Sequence, residues 1–210
     1  MLIGFEEISR ILSEHNLTVH GSFHIGAYEC EELAFYHKLG LSSNQVVWID
    51  AIPVKVEEAV RRGVPNVYHA VVTDKDDEEI IFNISNNGQS SSVLEFGTHS
   101  IEHPSVTYVD KIHQKSITID TFFKRHSLDA ANYDFWNFDI QGAELMALKG
   151  ATESIKYAKA IYLEVNEKEL YKNCALIPEI DAFLVGHRFK RVATNMTSHG
   201  WGDALYVVER

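Results

Sequence analysis

The chain has 210 residues, 45% hydrophobic and 23% charged, a balance that excludes a disordered chain, a collagen or a coiled-coil rod. It predicts one domain over 1–210, large enough to bury a core without disulfides or metals. With 30 Asp and Glu against 19 Lys and Arg, the net charge of −11 disfavours nucleic acid and anionic membranes as partners.

No apolar run reaches the ~20 residues of a membrane span. The start carries acids early and lacks the basic head and apolar core of a signal peptide. Residues 1–17 instead predict an amphipathic helix, with Ile8, Ile11 and Leu12 on one side. Cys30 and Cys174 are too few for a disulfide framework and read as reduced thiols in a cytoplasmic protein.

Strands and helices then alternate. Thr18–Phe23 predicts a strand, Glu29–Leu39 a helix, Gln45–Ile49 a buried strand, and Val54–Arg62 a helix stopped by Gly63-Val64-Pro65-Asn66. Val67–Val72 predicts a third strand. The middle is less regular: β-rich runs at Ile80–Ile84 and Ser116–Ile119 flank polar clusters, and Asn86–Ser92 is a loop signal. Afterwards come a strand at Phe135–Ile140, a helix at Ala143–Lys149, a strand at Ala160–Val165 and a helix at Pro178–Val185. Phe189–Ala193 and Ala204–Val208 close the chain as a hairpin, which predicts one antiparallel strand at the end of the sheet. The order implies an α/β fold, a mostly parallel sheet with helices on both faces. Ligands of such sheets bind beyond the C-terminal strand ends.

The first strand runs into Ser22-Phe23-His24-Ile25-Gly26-Ala27-Tyr28. A glycine there lets the backbone approach a ligand closely, though a plain tight turn accounts for it equally well. The second strand ends at Asp50, 24 residues beyond Gly26. An acid at that spacing and at a strand tip can accept both ribose hydroxyls of a nucleoside; the competing reading is a cap on the helix near Val54. Asp74, after the third strand, can accept from an adenine amine or stand in a solvated acidic turn with Asp76, Asp77, Glu78 and Glu79.

The fourth strand carries a more specific pattern. Phe138-Asp139-Ile140-Gln141-Gly142-Ala143-Glu144-Leu145-Met146-Ala147-Leu148-Lys149-Gly150-Ala151 closely resembles the signature of the FkbM-type methyltransferases, an apolar strand followed by Asp, Glu, Gly and Glu and ending in Leu-Lys-Gly-Ala. Ser116–Phe122, Ile161–Val165 and Gly202–Tyr206 resemble that family's neighbouring strands. The chain departs from the pattern at four places. Gln141 stands where Glu is common, Asn137 where Lys is frequent, His24 where the glycine turn normally has an acid, and Cys30 where it has a second glycine.

The resemblance implies a Rossmann-like class I methyltransferase fold with a seven-stranded sheet and S-adenosylmethionine as cofactor. It implies methyl transfer to a hydroxyl of a small-molecule or glycan acceptor, commonly a deoxysugar such as rhamnose or fucose. On this basis Ser22, His24, Gly26, Ala27, Asp50, Ala51, Asp74 and Asp139 are the expected cofactor contacts. A sugar hydroxyl is a weak nucleophile, and a positioned base contributes ~10²–10⁴-fold. Asp139 is the leading candidate for that base, with a helix cap near Gly142 as the alternative; His24 and Glu164 are the other catalytic candidates. Gln141, Glu144, Asn166, Trp201 and Ser91 are the expected acceptor contacts. Asp139, Glu164 and Asn166 can also form an oxygen site for a divalent metal, which is possible rather than expected. His99 and His103 have metal-ligand spacing, but Gly97 and Pro104 argue for a solvated loop. Two rivals stand beside this reading. One is a nucleotide-dependent oxidoreductase, weakened by the missing Gly-x-Gly-x-x-Gly; the other is an inactive adaptor, favoured by His24 and Cys30.

Overall fold

The computed structural model of the chain describes residues 1–209. The main sheet contains β1 (Ser22–Ile25), β2 (Val46–Asp50), β3 (Val67–His69), β7 (Phe135–Phe138), β8 (Ala160–Asn166), β9 (Phe189–Met196) and β10 (Trp201–Val208). Their order is β3-β2-β1-β7-β8-β10-β9, and only β10 runs antiparallel to its neighbours. This is the mostly parallel α/β sheet that the alternating pattern predicts, in the seven-stranded, Rossmann-like form that the resemblance implies. The antiparallel strand lies one place in from the edge, between β8 and β9, rather than at the end.

Period-two alternation explains why both faces are covered. Val47, Ile49, Phe23, Ile25, Trp136 and Phe138 point into one core. That core is closed by α5 (Ile119–Arg125), α6 (Glu144–Lys149) and α7 (Ile177–Gly186) through Phe122, Leu148 and Leu184. Val46, Trp48, Phe135, Ala160 and Tyr162 point into the other. There α1 (Phe5–Glu14), α2 (Leu33–Lys38) and α3 (Pro53–Arg61) supply Ile8, Ile11, Leu12, Tyr36 and Ala59. Among the described residues no helix is long and apolar enough to cross a membrane.

Four boundaries differ from expectation for local reasons. The first strand starts at Ser22 and extends through Ile25, because Gly21 O is taken by Asp134 N and Phe135 N just before β7. This puts His24 inside a strand rather than in a turn. The second helix begins only at Leu33, since Tyr28 and Cys30 adopt positive φ. The third strand breaks at Ala70: Val67–His69 pairs with β2, while β4 (Val71–Val72) leaves for a second sheet of order β4-β6-β5. In that sheet β5 (Glu79–Ser85) and β6 (Tyr108–Ile117) form an antiparallel arm. The run Ser116–Ile119 is strand only to Ile117; Thr118 accepts from Thr121 N and starts α5, which buries Phe122 and Phe123.

Candidate active site

Strand register builds the site. Ile25 of β1 lies opposite Ile49 of β2 and Phe138 of β7, and Phe138 lies opposite Leu163 of β8. The next residue on each strand is therefore level with the others: Asp50, Gly26, Asp139 and Glu164. Asp203 of β10 pairs directly with Glu164 and completes the row. With strands ~4.7–4.9 Å apart, one glycine and four carboxylates are ranked across five neighbouring strands. Two connected clefts open along this row.

The turn after β1 is pinned to β2, with Gly26 N and Ala27 N both donating to Ile49 O (2.9 and 3.0 Å). Gly26 has φ +89, and a Cβ there would sit 1.8 Å from Asp139 O, so only glycine lets the β1 and β7 turns touch. Cys30, where a second glycine is usual, has φ +57. The backbone has kept the left-handed conformation that makes glycine common there. Burial pushes the Cys30 thiol up to about 12, so it stays an unreactive thiol.

The first cleft, about 550 Å³, is walled by Ile52, Val71, Val72 and Phe82, with Asp50, Ala51 and Gly26 on its rim. Asp50 is only 7% exposed and accepts from Tyr28 N (2.6 Å) and Ile52 N (2.7 Å). Burial raises its carboxyl in spite of these donors. Each oxygen keeps a further lone pair for a ligand donor. The cap reading of Asp50 is thus half right: three residues before α3 it accepts from Ile52 N, ties the two turns together and still faces the cleft. Ser91, expected at the acceptor, stands on this wall with Gln89 and Val93. Its hydroxyl donates to Gly88 O and accepts from Ser85 N. An apolar slot with a carboxylate at its rim suits a nucleoside.

The second cleft, about 1120 Å³, shares Gly26, Tyr28, Gln89 and Asp139 with the first. Glu31, Glu32, Gln141, Glu164, Trp201 and Asp203 also line it. Gln141, in the left-handed region at φ +58, is the hub. Its Nε2 donates to Asp139 Oδ1 (2.6 Å) and to Glu164 Oε2 (2.8 Å), while its Oε1 accepts from the Tyr171 hydroxyl (2.5 Å). Gly142 at φ +95 keeps this turn tight, because a Cβ would press on Cys174 and Tyr171.

Asp139 is open to the cleft but crowded from behind by protein, and that crowding, ahead of the Asp203 charge, raises its carboxyl. Glu164 is 5% exposed, and burial followed by the Asp139 charge raises it further. Glu32, at the cleft mouth, is pushed up to about 7 by burial and by Glu31.

Several expected contacts lie elsewhere. Ser22 is fully buried, three residues before the strand end. His24 is 1% exposed, its ring over Trp48 and its Nδ1 2.9 Å from the Tyr36 hydroxyl, so neither a base nor a cofactor role is open to it. Ala27 is buried and off the cleft lining, although its N–H fixes the turn. Asp74 is exposed, beyond the point where β4 turns away to the second sheet. Glu144 is sequestered: its Oε1 accepts from Ile140 N (2.9 Å) and Gly142 N (3.2 Å), and burial raises it to about 8. Neither Glu144 nor Asp139 caps α6; Glu144 satisfies two amides of the turn before it. Asn166 is buried and outside both linings, so the set Asp139, Glu164 and Asn166 is not gathered in one place. No cluster of three His, Cys, Asp or Glu able to hold a metal occurs among the described residues.

His99, expected in a solvated loop, is buried in the single helical turn α4 (His99–Glu102). Its ring lies flat on Phe96 at 4.2 Å, and Phe96 in turn stacks on Tyr108 at 3.9 Å. His99 and His103 line the second cleft.

A family model for the FkbM methyltransferase domain matches residues 24–191. The chain belongs to this family. Membership makes it a methyltransferase of the S-adenosylmethionine-dependent class, on the fold already described. No curated protein matches it significantly. Among solved structures it is similar to the magnesium protoporphyrin IX methyltransferase of Synechocystis PCC 6803 with bound SAM, at 13% identity and TM-score 0.49 over 98% of this chain and 78% of that one. It is also similar to an O-methyltransferase from Bacillus cereus in complex with SAH, at 13% identity and TM-score 0.47 over 98% and 90%. A third is a SAM-dependent methyltransferase from Aquifex aeolicus, at 13% and 0.41 over 99% and 91%.

In this FkbM chain, the site residues that sequence reasoning missed are Tyr171 and Leu170, from the loop after β8, and the His99 wall. Tyr171 carries no local motif, and its role appears only once the loop folds over Gln141.

Proposed function

We propose that this FkbM methyltransferase binds S-adenosylmethionine with the adenosyl group in the first cleft and methylates a hydroxyl oxygen of a sugar acceptor, deoxysugars included, in the second. One observation carries the reading: Asp139 belongs to both clefts, at the place where donor and acceptor must meet. The bound sulfonium supplies an activated methyl carbon. The chain supplies position and a proton acceptor.

Asp50 is suited to receive both ribose hydroxyls, and Ile52, Val71, Val72 and Phe82 to hold the base away from water. Gln141 fixes Asp139 through Oδ1 and so orients the carboxylate toward the cleft. As the new carbon–oxygen bond forms, Asp139 takes the proton of the attacking hydroxyl. Its raised affinity for protons makes it a better base than a fully solvated aspartate. Trp201, half-buried on the second cleft, offers an apolar face of the kind that packs against a sugar ring.

The test is titration calorimetry with S-adenosylmethionine and with NAD, followed by mass spectrometry of sugars incubated with the donor. Donor binding and a methylated sugar support the reading, and Asp139→Asn should then lower turnover ~10²–10⁴-fold. Binding of NAD alone returns the oxidoreductase. Donor binding without methyl transfer to any sugar returns the inactive adaptor.

A further inference from the structure

The second cleft presents five carboxylates, Glu31, Glu32, Asp139, Glu164 and Asp203, and neither lysine nor arginine is among its lining residues; the Met1 amine, which also lines it, acts on Asp139 and Glu32. The protein's own donors cover part of this surface. Gln141 serves Asp139 and Glu164, while the Tyr162 hydroxyl and Leu2 N serve Asp203 Oδ2. One atom is left over: Glu164 Oε1 is buried without any donor. A second such atom is His99 Nδ1, on a ring 4% exposed that lines the same cleft. Burial and the His103 charge hold that ring at about 4, so it is neutral near pH 7 and contributes no positive charge.

A buried acceptor atom without a donor is costly, and a buried carboxylate more so. A neutral sugar donates through its hydroxyls but leaves the charge uncompensated. A phosphorylated or carboxylated sugar is repelled outright. An ammonium group brings three N–H donors and the missing charge together. The Met1 amine and the cofactor's sulfonium together offset only two of the five carboxylates.

Resting on the methyltransferase reading of this site, we propose that the acceptor is an amino sugar or related amino alcohol, its ammonium anchored on Glu164 Oε1 while a hydroxyl of the same molecule faces Asp139. The bound ammonium offsets part of the charge of the carboxylate row, and Asp139, held by Gln141 Nε2, accepts the hydroxyl proton as the methyl group is transferred. The groups facing Glu164 are Asp139, Gln141, Glu144, Tyr171 and Asp203. None of them is cationic.

The experiment compares matched sets of acceptors in the glucose, galactose and fucose series: the hydroxyl sugar, its amino counterpart and its phosphate. Native protein and Glu164→Gln are each assayed with S-adenosylmethionine, and the methylated atom is located by mass spectrometry. The expected result is kcat/KM about 10–100-fold higher for the amino sugar than for its hydroxyl partner, the range for a hydrogen bond to a charged group, with the phosphate unmethylated. In Glu164→Gln that ratio should fall toward one. If Glu164→Gln does not fold, the native ratio alone decides. Equal or better methylation of the hydroxyl sugar overturns the inference and leaves the methyltransferase reading standing. Methylation at nitrogen overturns the proposed geometry, with Asp139 serving a hydroxyl, while keeping a cationic acceptor. Donor binding without methylation of any member overturns both.

Discussion

Lowering the pH should unfold this protein in part through one residue, His24. The ring is 1% exposed, packed over Trp48 at 4.9 Å, with Nδ1 2.9 Å from the Tyr36 hydroxyl and 3.4 Å from Asn137 Nδ2. Burial, more than any neighbouring charge, lowers its pKa from 6.5 to about 3. A histidine held neutral in the folded state and free to charge when unfolded binds more protons unfolded, so its contribution is lost as pH falls below 6.5. Between pH 7.5 and 5 the unfolded ring becomes protonated and the folded ring does not. At about 1.4 kcal/mol per pH unit over about 1.5 units, the loss is about 2 kcal/mol. The assay is urea unfolding of native protein and His24→Phe at both pH values. The variant leaves the Asn137–Tyr36 hydrogen bond in place and removes the titration. Its absolute stability falls at both pH values alike, but its pH-induced loss should be about 2 kcal/mol smaller than that of the native protein. Equal losses in the two proteins would refute the reasoning, because every other histidine is common to both.

Three further substitutions probe the row of strand tips. Gly26→Ala combines a left-handed φ, which costs an alanine roughly 1–2 kcal/mol, with a collision against Asp139 O; a lower melting temperature and lost donor binding in calorimetry are expected. Asp50→Ala strands Tyr28 N and Ile52 N and removes the ribose acceptor, so donor Kd should rise at least about 10-fold while the acceptor KM changes far less. Gln141→Leu removes both donors between Asp139 and Glu164. Turnover should fall and the acid limb of its pH profile move upward as the two carboxylates repel, with donor affinity nearly unchanged; an unmoved pH profile would count against Gln141 as the clamp.

How much of this was legible in the sequence depends on whether the signal was local. Asp50, Asp139 and Glu164 each end an apolar run, and a parallel sheet makes the ends of such runs converge, so their neighbourhood followed from pattern alone. His24 shows how fragile that logic is at a boundary. Extending the strand to Ile25 turned a turn residue into a strand-interior one, and alternation sent its ring into the core. The second sheet stayed hidden because β4 is two residues long and β6 is mostly polar, without the apolar alternation that marks a strand. The burial of His99 depends on Phe96, Tyr108 and Tyr171, brought together from separate segments, while the local sequence shows only Gly97 and Pro104.

The segment between β5 and β6 and the loop after β8 are laced by backbone: Gly97 N and His99 N to Leu170 O, Thr98 N to Glu169 O, and Lys172 N to Glu95 O. One segment brings His99, the other brings Leu170 and Tyr171. The two segments therefore form one hydrogen-bonded wall of the second cleft, and neither can be rebuilt without the other. Exchanging acceptor preference with a related enzyme would accordingly require transplanting the two stretches together, since either alone would leave unpaired amides at the mouth of the reaction chamber.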